Sequence, residues 1–272
     1  MIKLYLMEIS PLQDEKCFEQ GLALVEPERR EKIEKYGQEK SRMLGLAAGL
    51  LAGYGASEAA GLSETTENSE AAGLSETTGN SEAAGGCVTV GTSEAVSGKK
   101  EAPEWIWVTA GEAIMRLSTL APVKIEKSPG GKPYFADRQG LFLSLSHSGE
   151  YAVCAVSDVP VGVDIQEYRK VKRNMLKRLL CPGEQIVLAE RADTSERAKD
   201  GFLSAEETVD FFRFWTAKEA CVKCTGAGLS KDFRELLADF EKCEIKDTVT
   251  GEHWRLYTAE EPMGYAMAIC TF

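Results

Sequence analysis

The order of hydrophobic and polar positions predicts strands over residues 2–9, 104–108, 123–127, 141–146, 151–157, 161–167, 240–247, 253–258 and 264–271. It predicts helices over 12–20, 27–36, 39–54, 110–120, 172–192 (interrupted at Pro182-Gly183) and 206–224. Short strands and helices without a βαβ rhythm point to an α+β fold. Two segments carry chemistry as well as pattern. In Val161-Gly162-Val163-Asp164-Ile165-Gln166 the three branched residues share one strand face, and Gly162, Asp164 and Gln166 share the other. Gly162 leaves room above the backbone there. In Phe214-Trp215-Thr216-Ala217-Lys218-Glu219-Ala220-Cys221-Val222-Lys223, residues Phe211, Trp215 and Val222 form an apolar helical stripe, and Glu219 and Lys223 are i,i+4 neighbours.

A hard cation such as Mg²⁺ takes a few protein oxygens and completes its shell with water and substrate phosphates. Asp164, Gln166 and Glu219 offer such oxygens, and Lys218 and Lys223 offer cations for the phosphates. The same spacing also fits a solvated Glu–Lys pair on a helix surface, worth about 0.2–0.5 kcal/mol. Periodicity alone leaves both readings open.

The stretch 56–100 breaks the pattern. Residues 57–68 recur almost unchanged as 69–80, and a third copy begins at Ser81. Each unit has one large apolar residue, Leu62 or Leu74, so stacked copies would bury little surface. This segment is expected to be a flexible low-complexity insertion without a catalytic role. Without it, 227 residues remain, enough for a sizeable core. It also distorts the charge: residues 57–82 hold six glutamates and no basic residue, and without them the formal charge moves from −11 to −5. Nothing in that balance suggests nucleic-acid binding. No apolar run reaches the roughly 18 residues of a membrane span, and Glu8 interrupts the apolar core a signal peptide would need. A cytoplasmic protein is expected. The eight cysteines are scattered, and Cys221-x-x-Cys224 stands without a second pair, so it reads as helix core and not as a zinc site.

Further motifs stand in order around the two segments: Gly131-Lys132-Pro133-Tyr134-Phe135, then Leu143-Ser144-Leu145-Ser146-His147-Ser148-Gly149, then the Asp164 strand, Leu179-Leu180-Cys181-Pro182-Gly183-Glu184, and the Lys218-Glu219 helix followed by Gly226-Ala227-Gly228-Leu229-Ser230. With Glu28-Arg29-Arg30-Glu31-Lys32 and Arg42-Met43-Leu44-Gly45 near the start, this succession resembles the 4′-phosphopantetheinyl transferases of the surfactin-synthetase-activating (Sfp) type. The resemblance covers nearly the whole chain outside 56–100.

It implies two pseudo-symmetric α/β halves with coenzyme A in the cleft between them. The N-terminal half would be residues 1–55 with 101–155, the insertion 56–100, and the C-terminal half 156–272. The implied reaction moves 4′-phosphopantetheine from coenzyme A, the co-substrate, to a serine of an apo acyl- or peptidyl-carrier protein and releases adenosine 3′,5′-bisphosphate. Mg²⁺ is the implied metal, with Mn²⁺ as a substitute. Metal ligands would be Asp164, Gln166 and Glu219. Glu219 would also take the serine proton, with Lys218 beside it in the catalytic pair. Coenzyme A phosphates would meet Lys132, Ser146, His147, Lys218 and Lys223, and the adenosine 3′-phosphate would meet Arg29, Lys32 and Arg42. Nonribosomal peptide, polyketide and fatty-acid synthesis are the pathways such enzymes serve. Because both motif blocks lie on one chain, a monomer is expected.

One position departs from the resemblance. Many members carry Glu where this chain has Gln166, so the site lacks one negative charge, and Glu167 points to the opposite strand face. That departure keeps open a homologue that binds coenzyme A or a carrier without turnover. A thioester-using acyltransferase is the other competitor, and it would have no need of Asp164 and Glu219.

Overall fold

The computed structural model describes residues 1–69, 102–191 and 201–272. The expected insertion lies outside the described residues from position 70 onward. The chain opens with β1 (Ile2–Glu8), α1 (Glu15–Ala23), α2 (Pro27–Glu34) and the long α3 (Glu39–Ser69). There follow β2 (Glu104–Trp107), α4 (Ala110–Leu117), the short β3 (Ile125–Lys127) and β4 (Pro133–Phe135), then β5 (Phe142–Ser148) and β6 (Tyr151–Ser157). The remainder comprises β7 (Val161–Glu167), α5 (Leu176–Leu179), α6 (Pro182–Arg191), α7 (Ala205–Thr225), β8 (Leu236–Asp239), β9 (Glu244–Asp247), β10 (His253–Ala259) and β11 (Tyr265–Thr271). The fold is α+β.

Two sheets stack face to face, one ordered β2-β1-β6-β5 and the other β7-β11-β10-β9-β8. Strand alternation splits their side chains among three cores. Leu4, Leu6, Val153 and Ala155 of the first sheet meet Val161, Val163, Ile165, Met267 and Ile269 of the second in the middle layer. Tyr5, Met7, Cys154 and Val156 point the other way, onto the helices that include α3. Ala266, Ala268 and Cys270 point outward onto α7. The layers therefore run helices, sheet, sheet, helix. The apolar face expected for Val161, Val163 and Ile165 is the inter-sheet face, and the Asp164 face looks at α7.

At one margin, edge strand β5 joins edge strand β7 through serine hydroxyls. Ser144 Oγ accepts from Val163 N at 3.0 Å, Ser148 Oγ accepts from Glu167 N at 3.0 Å, and Ser146 Oγ donates to Asp164 Oδ1 at 2.7 Å. Ser144 and Ser148 of the Leu-Ser-Leu-Ser-His-Ser run thus satisfy ladder N–H groups that an edge strand would leave unpaired, while Ser146 between them engages the Asp164 carboxylate.

Several element boundaries differ from the sequence pattern. Of the strand expected over 240–247, only the second half is β9; residues 240–243 form the turn, with Cys243 at a φ of 53°, that joins it to β8, which lies ahead of the expected range. β4, inside Gly-Lys-Pro-Tyr-Phe, is an additional strand that pairs with β3. The helix expected over 172–192 breaks into a 3-10 turn, α5 and α6, with Pro182 as the first residue of α6, where its missing N–H costs nothing. The helix expected to end at 54 continues through the first repeat unit. Glu58 there accepts from Lys3 Nζ at 3.2 Å and from Tyr5 Oη at 3.0 Å, and Ser57 Oγ accepts from Arg116 Nε at 2.6 Å. Among the described residues no helix is long and apolar enough to cross a membrane.

Candidate active site

α7 is the element that assembles the site, and its ends are well defined. Ser204 accepts from Glu207 N while the Glu207 carboxylate accepts from Ser204 N, a reciprocal cap that Arg173 reinforces from the side. At the other end Gly226 adopts the left-handed conformation, with φ of 75°, that stops a helix. Between these caps α7 crosses β7 at Gly162. A Cβ on that residue would sit 1.9 Å from the Ala220 carbonyl oxygen and 2.4 Å from Cys224 N. Only glycine admits a helix backbone that close to a strand. This contact lays the turn holding Glu219 and Lys223 over the Asp164 face of β7.

Asp164 is 2% exposed and surrounded by donors. Oδ1 accepts from Ser146 Oγ at 2.7 Å and from Lys223 Nζ at 2.6 Å, and Oδ2 accepts from Gln166 Nε2 at 3.1 Å. Lys223 Nζ also donates to Val163 O at 3.1 Å. Glu219 is half-buried beside this group. Burial pushes its pKa up, the negative charge of Asp164 adds to that, and the Lys223 ammonium opposes both. His147, with an exposed edge on β5, has its pKa lowered by desolvation and then by the positive charge of Lys223; Lys32 adds a smaller push in the same direction. The structure therefore brings together Asp164, Gln166, Glu219, Lys223, Ser146 and His147, with the exposed Lys32 within electrostatic reach.

Lys218 is not among them. Its side chain is fully buried, and its ammonium donates to Glu184 Oε2, to Leu179 O at 3.0 Å and to Phe233 O at 2.9 Å. Glu184 in turn accepts from Cys181 N and Ala238 N. This corrects the expected catalytic and phosphate-binding role of Lys218. Adjacent helix residues diverge by about 100°, so the turn that presents Glu219 to β7 points Lys218 into the opposite side, where it ties α7 to α5 and α6. The signal that could have shown this is Glu184 itself, an acid in the Cys-Pro-Gly-Glu stretch with no other role.

The remaining expected phosphate ligands are dispersed. Lys132 Nζ donates to Cys224 O at 2.6 Å at the C-terminal end of α7, and burial lowers its pKa. Arg29 Nη1 donates to Gly45 O at 3.3 Å, with its aliphatic stem against Gly49 of α3 and its pKa lowered by burial. Arg42 lies over the Phe18 ring, 4.9 Å from its centroid, and its buried Nε has no hydrogen-bond partner. Glu167 falls against Gly149 and Tyr265, away from Asp164.

Among the described residues no group of three or more His, Cys, Asp or Glu side chains gathers as a metal site. Gln166 turns its amide N–H to Asp164, so the expected third oxygen is not presented there, but the carboxylates of Asp164 and Glu219 suit Mg²⁺, which commonly uses one or two carboxylates with water and phosphate. Burial, and then the charge of Asp164, raise the pKa of Glu219, and a cation between the two carboxylates would favour its ionised form. These residues fit the ion.

Residues 160–270, which contain β7 and α7, match the family described as the 4′-phosphopantetheinyl transferase superfamily. The chain is 29% identical over 156 residues to the 4′-phosphopantetheinyl transferase psf-1 of Bacillus pumilus, covering 56% of this chain and 62% of that protein. It is 28% identical over 170 residues to 4′-phosphopantetheinyl transferase Sfp of Bacillus subtilis strain 168, covering 59% of this chain and 71% of that one. To 4′-phosphopantetheinyl transferase HetI of Nostoc sp. strain PCC 7120 it is 34% identical over 165 residues, 56% of this chain and 61% of that protein. The chain thus covers less than two thirds of psf-1 and HetI. The residues that pack α7 onto β7 lie inside the region that matches the 4′-phosphopantetheinyl transferase superfamily.

Proposed function

We propose that this chain transfers 4′-phosphopantetheine from coenzyme A to a serine of an apo acyl- or peptidyl-carrier protein, with Mg²⁺, releasing adenosine 3′,5′-bisphosphate. One observation carries the reading: α7 crosses β7 so closely that Glu219 and Lys223 converge on the buried Asp164. Residues 1–55 with 101–155 and residues 156–272 are read as the two halves that flank the ligand. Asp164 and Glu219 would hold the cation, which when bound supplies positive charge to the diphosphate. Lys223 offers an ammonium to a phosphate oxygen, and Lys32 adds charge at the rim. His147, whose pKa burial and then the Lys223 charge lower, offers a ring N–H to a phosphate oxygen. Glu219 accepts the proton of the acceptor serine, a role suited to a carboxylate whose basicity burial has raised. The serine oxygen bonds to the pantetheine-side phosphorus as that phosphorus parts from the bridging oxygen, and the electron pair leaves with adenosine 3′,5′-bisphosphate.

Gln166, in place of a third carboxylate, supports a second reading: a homologue that binds coenzyme A or a carrier without turnover. Incubation with coenzyme A, Mg²⁺ and several apo carrier proteins, followed by mass spectrometry, separates the two. A phosphopantetheine adduct on a carrier serine is the expected outcome. No adduct on any carrier, with coenzyme A binding retained, leaves the binding-only reading.

A further inference from the structure

The two lysines of α7 beside Glu219 are held in opposite ways. Lys218 is sealed from solvent by three hydrogen bonds, while Lys223 keeps 30% of its side chain exposed and reaches Asp164 on a flexible stem. Asp164 has no idle oxygen: Oδ1 takes Ser146 and Lys223, and Oδ2 takes Gln166. A carboxylate offers about four lone-pair directions, and three are engaged. Lys223 is also the cation that offsets the charge of Asp164 at Glu219. Its ammonium thus does for the two carboxylates what a divalent ion would do, and two such charges on one carboxylate repel each other at a few ångströms.

We propose that Lys223 is an exchangeable occupant of the cation site: it pairs with Asp164 in the free protein and moves to a ligand phosphate when the divalent ion takes Asp164. The inference rests on the coenzyme A reading for the identity of the phosphate ligand. Its consequence is energetic coupling. A cation binding alone must displace the ammonium and leave it unpaired, whereas a cation arriving with a diphosphate gives the ammonium a new partner. Ion and diphosphate therefore bind each other's complexes more tightly than they bind the free protein, and part of that reciprocal factor belongs to Lys223. Gln166 is consistent with the exchange, because its amide N–H can support Asp164 in the free state, where a carboxylate at that position would repel it.

The test is Mn²⁺ binding, followed by paramagnetic resonance, to the wild-type chain and to Lys223→Met and Lys223→Gln, each with and without coenzyme A. Circular dichroism checks folding, and the Gln variant serves where the Met variant fails to fold. Without coenzyme A, both variants are expected to bind Mn²⁺ about tenfold tighter than wild type. Coenzyme A is expected to tighten Mn²⁺ binding in all three, by a factor several-fold smaller in the variants. Removing a nearby positive charge would by itself tighten the ion, so the coupling factor is decisive. An equal coupling factor in wild type and variants, or Mn²⁺ affinity in the variants no higher than in wild type, overturns the exchange. Failure of coenzyme A to bind wild type by calorimetry, with or without Mn²⁺, overturns instead the reading on which the exchange depends.

Discussion

Lys218 and Glu219 are sequence neighbours with unrelated work. Lys218 forms a buried ion pair with Glu184, and removing one member of such a pair strands the other charge. Lys218→Met is therefore expected to destabilise the fold by about 3–5 kcal/mol in urea denaturation. Glu219 has the reverse balance. Its pKa is higher in the folded chain than in the unfolded one, so its ionised form costs stability at neutral pH, and that cost fades as pH falls through the folded value. Glu219→Gln should leave the melting temperature unchanged or slightly higher while lowering transfer at least about 100-fold, the scale of a lost general base. A variant that loses stability and activity together would argue against this role. Both residues are conspicuous in the sequence as a charged pair inside an apolar helix. Their division of labour is not, because it depends on which side of α7 faces β7, and that is settled by a contact 57 positions away in the chain.

At the scale of elements, that contact is Gly162. Gly162→Ala drives a methyl into the Ala220 carbonyl oxygen, a backbone atom that cannot step aside, so α7 must shift. The expected result is a loss of about 1–3 kcal/mol together with weaker Mn²⁺ binding in the protein that remains folded. Ser144→Ala probes the junction of the sheets by leaving Val163 N without its partner. Denaturation should register about 1–3 kcal/mol. The strands flanking these contacts were legible because β1, β5, β6, β7 and β11 are long and strongly patterned. The shorter pieces were not: β4 spans only three residues, beginning with a proline, and the four-residue β8 was missed while the expected strand ran over the turn before β9. The Ser-His run is readable as a motif, yet its function as a seam between edge strands needs the partner strand in view.

For the whole molecule, the middle core between the two sheets lies on the face of β7 opposite Asp164. Ile269 lies wholly inside it. Ile269→Ala should cost about 2–5 kcal/mol and leave Mn²⁺ affinity unchanged where the protein is folded, the counterpart to Gly162→Ala that separates stability from site geometry. If Ile269→Ala weakens the ion as much as Gly162→Ala does, the close crossing is not what organises the site. The sequence by itself determined the α+β class and the main strands, because these follow from local periodicity, and its motifs carried the resemblance to the 4′-phosphopantetheinyl transferases and singled out Asp164, Glu219 and Lys223. Only the tertiary structure decided which lysine serves the site, how Ser146 and Gln166 hold Asp164, and where Lys132, Arg29 and Arg42 point. Those outcomes depend on rotations of elements about one another, and the rotations are set by close contacts such as Gly162 on Ala220 and Lys218 on Glu184, made between residues distant in sequence.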